Sequence, residues 1–241
     1  MTSTPRERAR EQTLAEITRI GREHLVAHGA AALSLRAVAR DLGVVSSAVY
    51  RYVASRDELL TLLVIDAYNE LAAEVDAAID ALPEADHRGR LHALGRAVRA
   101  WAVREPARYA LLFGSPVPGY HAPAERTTGP GTRVIVAMVT IIESAYRAGA
   151  IEVPEAEFEP GLAVDLGRIR SEMGSTLPNE VLVRGVMVWS ALFGMVSSEV
   201  FEQFGADTFT EPAVLFEHHL EVLDQILGLV QRAGRGRRHV D

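Results

Sequence analysis

Residues 43–59, GVVSSAVYRYVASRDEL, form the stretch whose residue types are best suited to recognising a charged partner. The stretch combines small residues with two tyrosines and two arginines, a mixture that packs poorly as a core segment. Guanidinium groups are donors that match phosphate and carboxylate geometry, and hydroxyl groups can both donate and accept. The chemistry available here is recognition by charge and hydrogen bonds, and it needs an exposed face.

The distribution of charge along the chain favours a polyanion as that partner. Residues 1–57 hold nine arginines against six acidic residues, a balance of +3, whereas the remainder holds sixteen against twenty-six, a balance of −10. The N-terminal part can therefore approach a polyanion that the rest of the chain would repel. A second basic cluster, RAGRGRRH at residues 232–239, is interpreted as a solubilising tail.

Composition excludes several classes of protein. The chain has 241 residues, of which 48% are hydrophobic and 24% charged, as expected for a globular protein of one or two domains. It has no cysteine, and all 25 basic residues are arginines, so disulfides, thiolate metal sites and lysine-based catalysis are excluded. The longest apolar run, residues 134–142, is shorter than the roughly 20 residues of a membrane span. A cytoplasmic location without membrane attachment is expected.

Two histidine pairs offer an alternative, a metal site or an enzyme. His24 and His28 are four residues apart, and the segment EHHLE at 217–221 combines two histidines with two acids. Neither has the His-Glu-x-x-His order of a zinc protease, and no third ligand follows at a recognisable spacing. Ordinary surface or hydrogen-bonded histidines are favoured, so we predict no catalytic residue, no metal and no cofactor.

Helical periodicity dominates the chain, and no alternating strand pattern stands out. The sequence therefore predicts an all-α protein of nine or ten helices. The first predicted helix places Leu14, Ile17, Ile20, Leu25 and Val26 on one apolar stripe. Besides the segment after Gly43, the predicted helices cover about 6–28, 34–42, 55–79, RLHALGRAVRAWAVREP, PARYALLF, 126 or 132 to 147, 161–173, 178–204 and 211–231.

Two short helices joined at Gly43 describe a helix-turn-helix unit, whose second helix lies in the major groove of DNA. Short helices do not persist alone, so they must pack against the first and fourth helices. The predicted inner face consists of Leu35, Val38, Ala39 and Leu42, closed by Val44, Val49 and Tyr52. The predicted outer face consists of Ser46, Ser47, Ala48, Tyr50 and Arg51.

Residues 33–60, LSLRAVARDLGVVSSAVYRYVASRDELL, resemble the DNA-binding signature of the tetracycline-repressor (TetR) family of bacterial transcription regulators. The stretches WAVREPARYALLFGSPVPGYHAP and WSALFG resemble the C-terminal domain of a branch labelled by a Trp-His-Gly motif. In this chain Phe193 replaces the histidine, while Trp189 and Gly194 match. The implied domains are a helix-turn-helix domain, a connecting helix, a helical ligand-binding and dimerisation domain and a basic tail, at residues 1–54, 55–80, 81–232 and 233–241.

The resemblance implies roles for individual residues. Tyr50 would donate to a backbone phosphate, Arg51 and the serines would reach base edges, and Arg56 would meet phosphate at a helix N-terminus. Val45 stands where the family usually has Ser or Thr, so either the third helix begins uncapped or Ser46 caps it one residue late. The predicted DNA-binding residues are Arg36, Ser46, Ser47, Ala48, Tyr50, Arg51 and Arg56.

The resemblance also implies a homodimer formed by the last two helices, although their apolar faces could instead be buried within one chain. One face has Val181, Val183, Val186, Val188, Leu192 and Val196, and the other has Val214, Leu215, Leu220, Leu223, Ile226, Leu227 and Val230.

An apolar ligand pocket is the other implied feature, with the Pro- and Gly-rich segment 114–123 as its lid. The predicted lining residues are Trp101, Tyr109, Phe113, Tyr120, Met138, Trp189 and Phe193. We expect a repressor released from operator DNA by a small hydrophobic or aromatic ligand. The alternatives are a transcriptional activator, or a ligand-binding or adaptor protein of this fold without specific DNA binding.

Overall fold

A computed structural model describes residues 4–205 and 207–229 of the chain. It confirms the all-α prediction, because this part of the chain contains ten α-helices, a 3₁₀ turn at Ala30–Ala32, and no extended pairing beyond one isolated bridge between Ile151 and Leu229. The helices are α1 Pro5–His28, α2 Leu35–Asp41, α3 Ser46–Tyr50, α4 Arg56–Asp80, α5 His87–Arg104, α6 Pro106–Phe113, α7 Ala124–Arg147, α8 Pro160–Glu172, α9 Asn179–Val200 and α10 Pro212–Leu227.

The helices pack into two compact units. The first unit comprises the residues up to 75 together with 98–134, and the second comprises 76–97 and the residues from 135 onward. Helices α4, α5 and α7 are continuous and contribute residues to both units. The predicted basic tail at 233–241 lies outside the described residues, as does Val230 of the predicted last helix.

Local side-chain bonds set where α1 and α4 begin. The Thr4 hydroxyl accepts the N–H of Glu7 at 3.3 Å, and the Glu7 carboxylate accepts the N–H of Thr4 at 2.7 Å, a complete capping box. At α4 only half of the predicted box forms, since Ser55 Oγ accepts the N–H of Glu58 at 3.1 Å. The Glu58 carboxylate binds the guanidinium group of Arg126 instead, at 2.7 and 3.0 Å, because a charged donor is the stronger partner.

The first unit is organised around an apolar core with a polar cluster beside it. Buried side chains from α1 to α4 form the core: Ile17, Ile20, Leu25, Leu33, Leu35, Val38, Ala39, Val49, Val53, Leu59, Leu60 and Leu63. Val26, predicted on the inner stripe of α1, is 66% exposed. That prediction is wrong, because the stripe ends with Leu25 as the helix approaches its last residue, His28.

The polar cluster of the first unit surrounds Arg108 of α6, which is only 2% exposed. Its guanidinium group donates to Asp66 at 2.9 Å and to Glu70 at 2.7 Å, both on α4. Arg22 of α1 also donates to Asp66 at 2.6 Å, and the indole N–H of Trp101 donates to Glu70 at 3.2 Å. Burial raises the pKa of Glu70, but the bonds and charge of Arg108 outweigh it, so the net pKa is lowered. The cluster joins four helices.

The second unit contains a polar cluster of its own, between α5 and α10. The buried carboxylate of Asp224 accepts from Arg88 Nε at 2.6 Å and lies 2.8 Å from His92 Nε2. Gly95 lets the two helices approach closely, since a Cβ there would come within 2.7 Å of Leu220 Cδ2. These contacts fix α10 against α5 within the unit.

Candidate nucleic-acid interface

The turn between α2 and α3 is built by the backbone around Gly43. Its N–H bonds to the carbonyl of Arg40 and the N–H of Val44 bonds to the carbonyl of Ala39, both at 3.0 Å, the pattern of a Schellman motif. Gly43 has φ +74°, a left-handed conformation that glycine adopts without strain. After this turn Val45 occupies the cap position of α3 without a side-chain bond, so the helix begins uncapped at Ser46.

Helix α3 is anchored by one side chain and exposes most of the others. Val49 is 1% exposed and belongs to the core of the first unit, whereas Tyr50 is 45% exposed. Ser47 and Arg51 are exposed too, and Ser46 and Ala48 are half-buried. A helix of five residues cannot persist alone, so the burial of Val49 holds the exposed face in place.

The predicted inward orientation of Val44 is wrong, since its side chain is 41% exposed. The N–H of Val44 closes the Schellman turn at the end of α2, and the residue lies exposed between the two short helices. Tyr52, also predicted inward, packs partly buried against the core as expected.

The two remaining predicted phosphate contacts, Arg36 and Arg56, differ in their surroundings. Arg36 is exposed on α2. Arg56 is half-buried, and its Nη2 donates to the carbonyls of Ala30 and Ala31 at 3.1 and 3.2 Å. Its Nη1 lies 3.6 Å from the carboxylate of Asp57. Arg56 therefore ties the start of α4 to the end of the 3₁₀ turn, an intramolecular role that the sequence did not indicate.

Sequence reasoning also missed Arg10. Its guanidinium carbon lies 5.6 Å from the ring centre of Tyr52, a cation–π distance, so the exposed start of α1 lies beside the end of the helix-turn-helix unit. The two residues are far apart in sequence, and nothing in the local pattern around either indicates the contact.

The histidines considered as metal ligands have other contacts. His24 Nε2 lies 2.6 Å from a carboxylate oxygen of Asp41, which joins α1 to the last residue of α2. This hydrogen bond is the main reason why the pKa of Asp41 is lowered. His218 lies 3.6 Å from Glu221 on α10. Among residues 4–205 and 207–229, no three His, Asp or Glu side chains gather as metal ligands would.

A second candidate site is an apolar cavity of about 260 Å³ within the second unit, between α7, α8 and α9. Met138 and Trp189, both predicted as ligand contacts, are in its wall, and the ring of Phe193 packs against Trp189 with centroids 4.3 Å apart. The other lining residues are Ile135, Val139, Ile142, Ile169, Met173, Leu177, Val181, Leu182, Gly185 and Val186.

The other four predicted ligand contacts belong to the first unit. Trp101 and Tyr109 are fully buried, and the ring of Phe113 lies 5.0 Å from that of Tyr109. The Tyr120 hydroxyl lies 3.1 Å from Thr61 Oγ1 on α4. The seven predicted residues are thus divided between the two units, and only Met138, Trp189 and Phe193 belong to the unit that contains the cavity.

An exposed short helix with arginine and hydroxyl groups, carried on a compact helical core, defines a helix-turn-helix DNA-binding protein. Comparison with known protein families supports this assignment. Residues 17–63 match the family described as bacterial regulatory proteins, tetR family, and residues 91–223 match the tetracyclin repressor-like C-terminal domain. The chain belongs to the TetR family of transcriptional regulators, which are not enzymes.

Similar proteins cover nearly the whole chain. The HTH-type transcriptional regulators Rv1816 of Mycobacterium tuberculosis and Mb1846 of Mycobacterium bovis are each 48% identical over 219 residues, 91% of this chain and 94% of theirs. The solved structure of SCO4313 has 37% identity and a TM-score of 0.73, covering 91% of this chain and 98% of that one. A tetR-family regulatory protein from Rhodococcus RHA1 has the same fold at 16% identity, with a TM-score of 0.61 and coverage of 90% and 98%.

Proposed function

We propose that the protein is a ligand-responsive repressor that binds a pseudopalindromic operator as a homodimer and is released by a small hydrophobic or aromatic molecule. The observation that carries the ligand part is the cavity between α7, α8 and α9, whose walls consist of apolar residue types. Pockets lined by apolar side chains are the usual binding sites of apolar small molecules. A ligand there releases DNA if it binds better to the conformation that fits the operator poorly.

The DNA part of the proposal rests on the exposed face of α3. Arg51 is exposed and would read a base edge, and Tyr50 would donate to a phosphate. We expect Arg51→Ala to weaken operator binding by about 1–3 kcal/mol and Tyr50→Phe to weaken it less. Gel-shift titration with the DNA flanking the protein's own gene measures both effects, and the wild-type complex should weaken steeply with salt.

Arg168→Ala is the matched control, because this arginine is 65% exposed on α8, far in sequence from the helix-turn-helix unit. If Arg51→Ala leaves the operator affinity unchanged, the result contradicts the proposed role of α3.

The homodimer is supported by apolar side chains that α9 and α10 leave exposed. The predicted apolar face of α9 is only partly buried within the chain. Val181, Val188 and Leu192 are buried, whereas Val183 and Val186 are exposed. Among the described helices, α9 alone is long and apolar enough to span a bilayer by composition, yet only 33% of that stretch is buried. Exposed apolar surface of this kind marks an interaction site. Val214 of the second predicted face is also exposed, as are Met187 and Val222, which neither predicted face included.

Sedimentation velocity tests the dimer. Val186→Glu should convert a dimer to monomers, because a charge in an apolar interface has no partner. Val164→Glu is the control, since Val164 is 64% exposed on α8 of the same unit. A wild-type chain that sediments as a monomer at micromolar concentration would refute the dimer.

A further inference from the structure

Residues 117–126, here called the clamp segment, pack on the DNA-binding core. The sequence suggested that segment 114–123 covers a ligand pocket. Instead, Val117 and Tyr120 pack against the buried core of α1 to α4 within the first unit. Ala107 and Leu111 of the preceding helix, α6, contact the same core. The clamp segment therefore packs on the same core that positions α3.

One polar contact ties the clamp segment to the second turn of α4. Thr61 Oγ1 lies 3.0 Å from the carbonyl of Asp57 and 3.1 Å from the Tyr120 hydroxyl. A carbonyl only accepts, so the single hydroxyl proton of Thr61 goes to Asp57. Tyr120 is therefore the donor in its bond to Thr61, and its hydroxyl is oriented toward α4.

A second contact ties the clamp segment to the first turn of α4. Arg126 donates to both carboxylate oxygens of Glu58, at 2.7 and 3.0 Å, in a two-pronged geometry. Both side chains are about one-third exposed, so solvent screens this pair less than a fully exposed one. The N–H of Glu58 is held by Ser55 at the same time. The first turn of α4 is thus fixed from two sides.

The start of α4 in turn fixes the recognition helix. Leu59 and Leu60 follow Glu58 directly, and both are fully buried in the core that also holds Val49 of α3. Close-packed cores transmit displacement, because their side chains interdigitate without voids. A shift of the first turn of α4 must therefore move α3.

We propose that the clamp segment is an accessory part of the DNA-binding unit, in which Tyr120 and Arg126 are positioning residues that hold the start of α4 and thereby α3. This inference rests on DNA binding, and it does not depend on the ligand or the repressor role of the proposed function. Neither residue needs to touch DNA.

Charge reversal at Glu58 separates positioning from a simple charge effect. Glu58 lies near the predicted phosphate contacts, so added positive charge would tighten DNA binding if only long-range electrostatics mattered. Glu58→Arg also places two arginines face to face, which breaks the contact between the clamp segment and the first turn of α4. The inference predicts weaker binding, by about tenfold. The two explanations therefore predict effects of opposite sign.

The test uses the full-length protein and a DNA duplex that the wild-type protein selects from a random-sequence pool. Arg126→Glu and Glu58→Arg should each weaken binding by about tenfold, and the double variant should recover most of the loss because the pair is restored in reverse. Arg147→Glu is the control, since Arg147 is 65% exposed on the same helix and the charge change is equal. Tyr120→Phe should weaken binding two- to fivefold, the range of about one lost hydrogen bond.

Circular dichroism and sedimentation follow each variant, so that a loss of fold or assembly is recognised. If Arg126→Glu does not fold, Arg126→Gln breaks the pair without charge reversal, and its DNA binding is compared with that of the double variant, in which the pair is restored in reverse. Tighter binding by Glu58→Arg, or a double variant no better than the single ones, overturns the inference. A wild-type protein that selects no duplex refutes specific DNA binding itself, which is a different result.

Discussion

The two units are stabilised in different ways. In the first unit, polar contacts such as His24–Asp41, the Arg108 cluster and Arg126–Glu58 join helices around a small core. The second unit also has a buried polar cluster at Asp224, but between α7, α8 and α9 it leaves an apolar cavity, and α9 exposes apolar side chains. Directional contacts hold one geometry, whereas apolar surfaces tolerate repacking. The difference matches the roles proposed above, in which the first unit presents a fixed helix and the second unit binds other molecules.

Loss of Arg108 should have the largest effect on stability. Arg108→Ala leaves Asp66 and Glu70 close together without their buried cation, and we expect the first unit to lose about 3 kcal/mol. Arg147→Ala removes the ion pair between Glu143 and an arginine that is 65% exposed in the second unit, and it should cost less than about 1 kcal/mol. Trp101 and Trp189 lie in different units, so urea unfolding followed in single-tryptophan variants reports each unit separately. Equal losses from the two substitutions would break the proposed contrast.

A pair of glycine substitutions on helices should affect stability differently in the two units. A Cβ on Gly185 would lie 3.7 Å from Ile142 Cδ1, an ordinary contact, so Gly185→Ala should raise stability by about 0.5–1 kcal/mol. On Gly131 it would meet the ring of Tyr68 at 3.3 Å, so Gly131→Ala should be neutral or destabilising. Thermal unfolding measures both. A gain at both positions would mean that the first unit packs as loosely as the second.

Filling the cavity extends this comparison to binding. Gly185→Leu adds a branched side chain in the cavity wall and should abolish binding of an apolar fluorescent probe such as anilinonaphthalene sulfonate, while operator binding is retained. Fluorescence titration checks the first effect and gel shift the second. Undiminished probe binding would place the apolar site elsewhere.

The smallest expected effect is a pH dependence in the first unit. The hydrogen bond with His24 holds the pKa of Asp41 below its ordinary value. A group with a depressed folded pKa contributes stability above its unfolded pKa, about 3.9 for aspartate, and loses it as pH falls through the folded pKa. Asp41→Asn should therefore destabilise the first unit near neutral pH, and the difference should shrink as pH falls below about 3.9. Urea unfolding across that range gives the comparison, and a constant difference would contradict it.

Sequence periodicity predicted the parts of the fold that depend on near neighbours. The buried positions Val38 and Val49 and the turn at Gly43 follow from helical spacing and backbone preference. Val44 was misassigned, because hydrophobicity alone does not reveal that this turn residue stays exposed. The intramolecular contacts of Arg10 and Arg56 were not predicted for another reason, since their partners lie far away in sequence and only the packed structure brings them together.

By itself the sequence determined the helical class, the position of the recognition helix and the family, because these depend on residue types at short, fixed spacing. Only the tertiary structure decided what segment 114–123 covers and which apolar residues share a cavity. Such contacts join residues on different helices, and local spacing carries no information about which helices meet. The helix-turn-helix motif is therefore visible in the sequence, whereas the contacts that hold it in place are visible only in the fold.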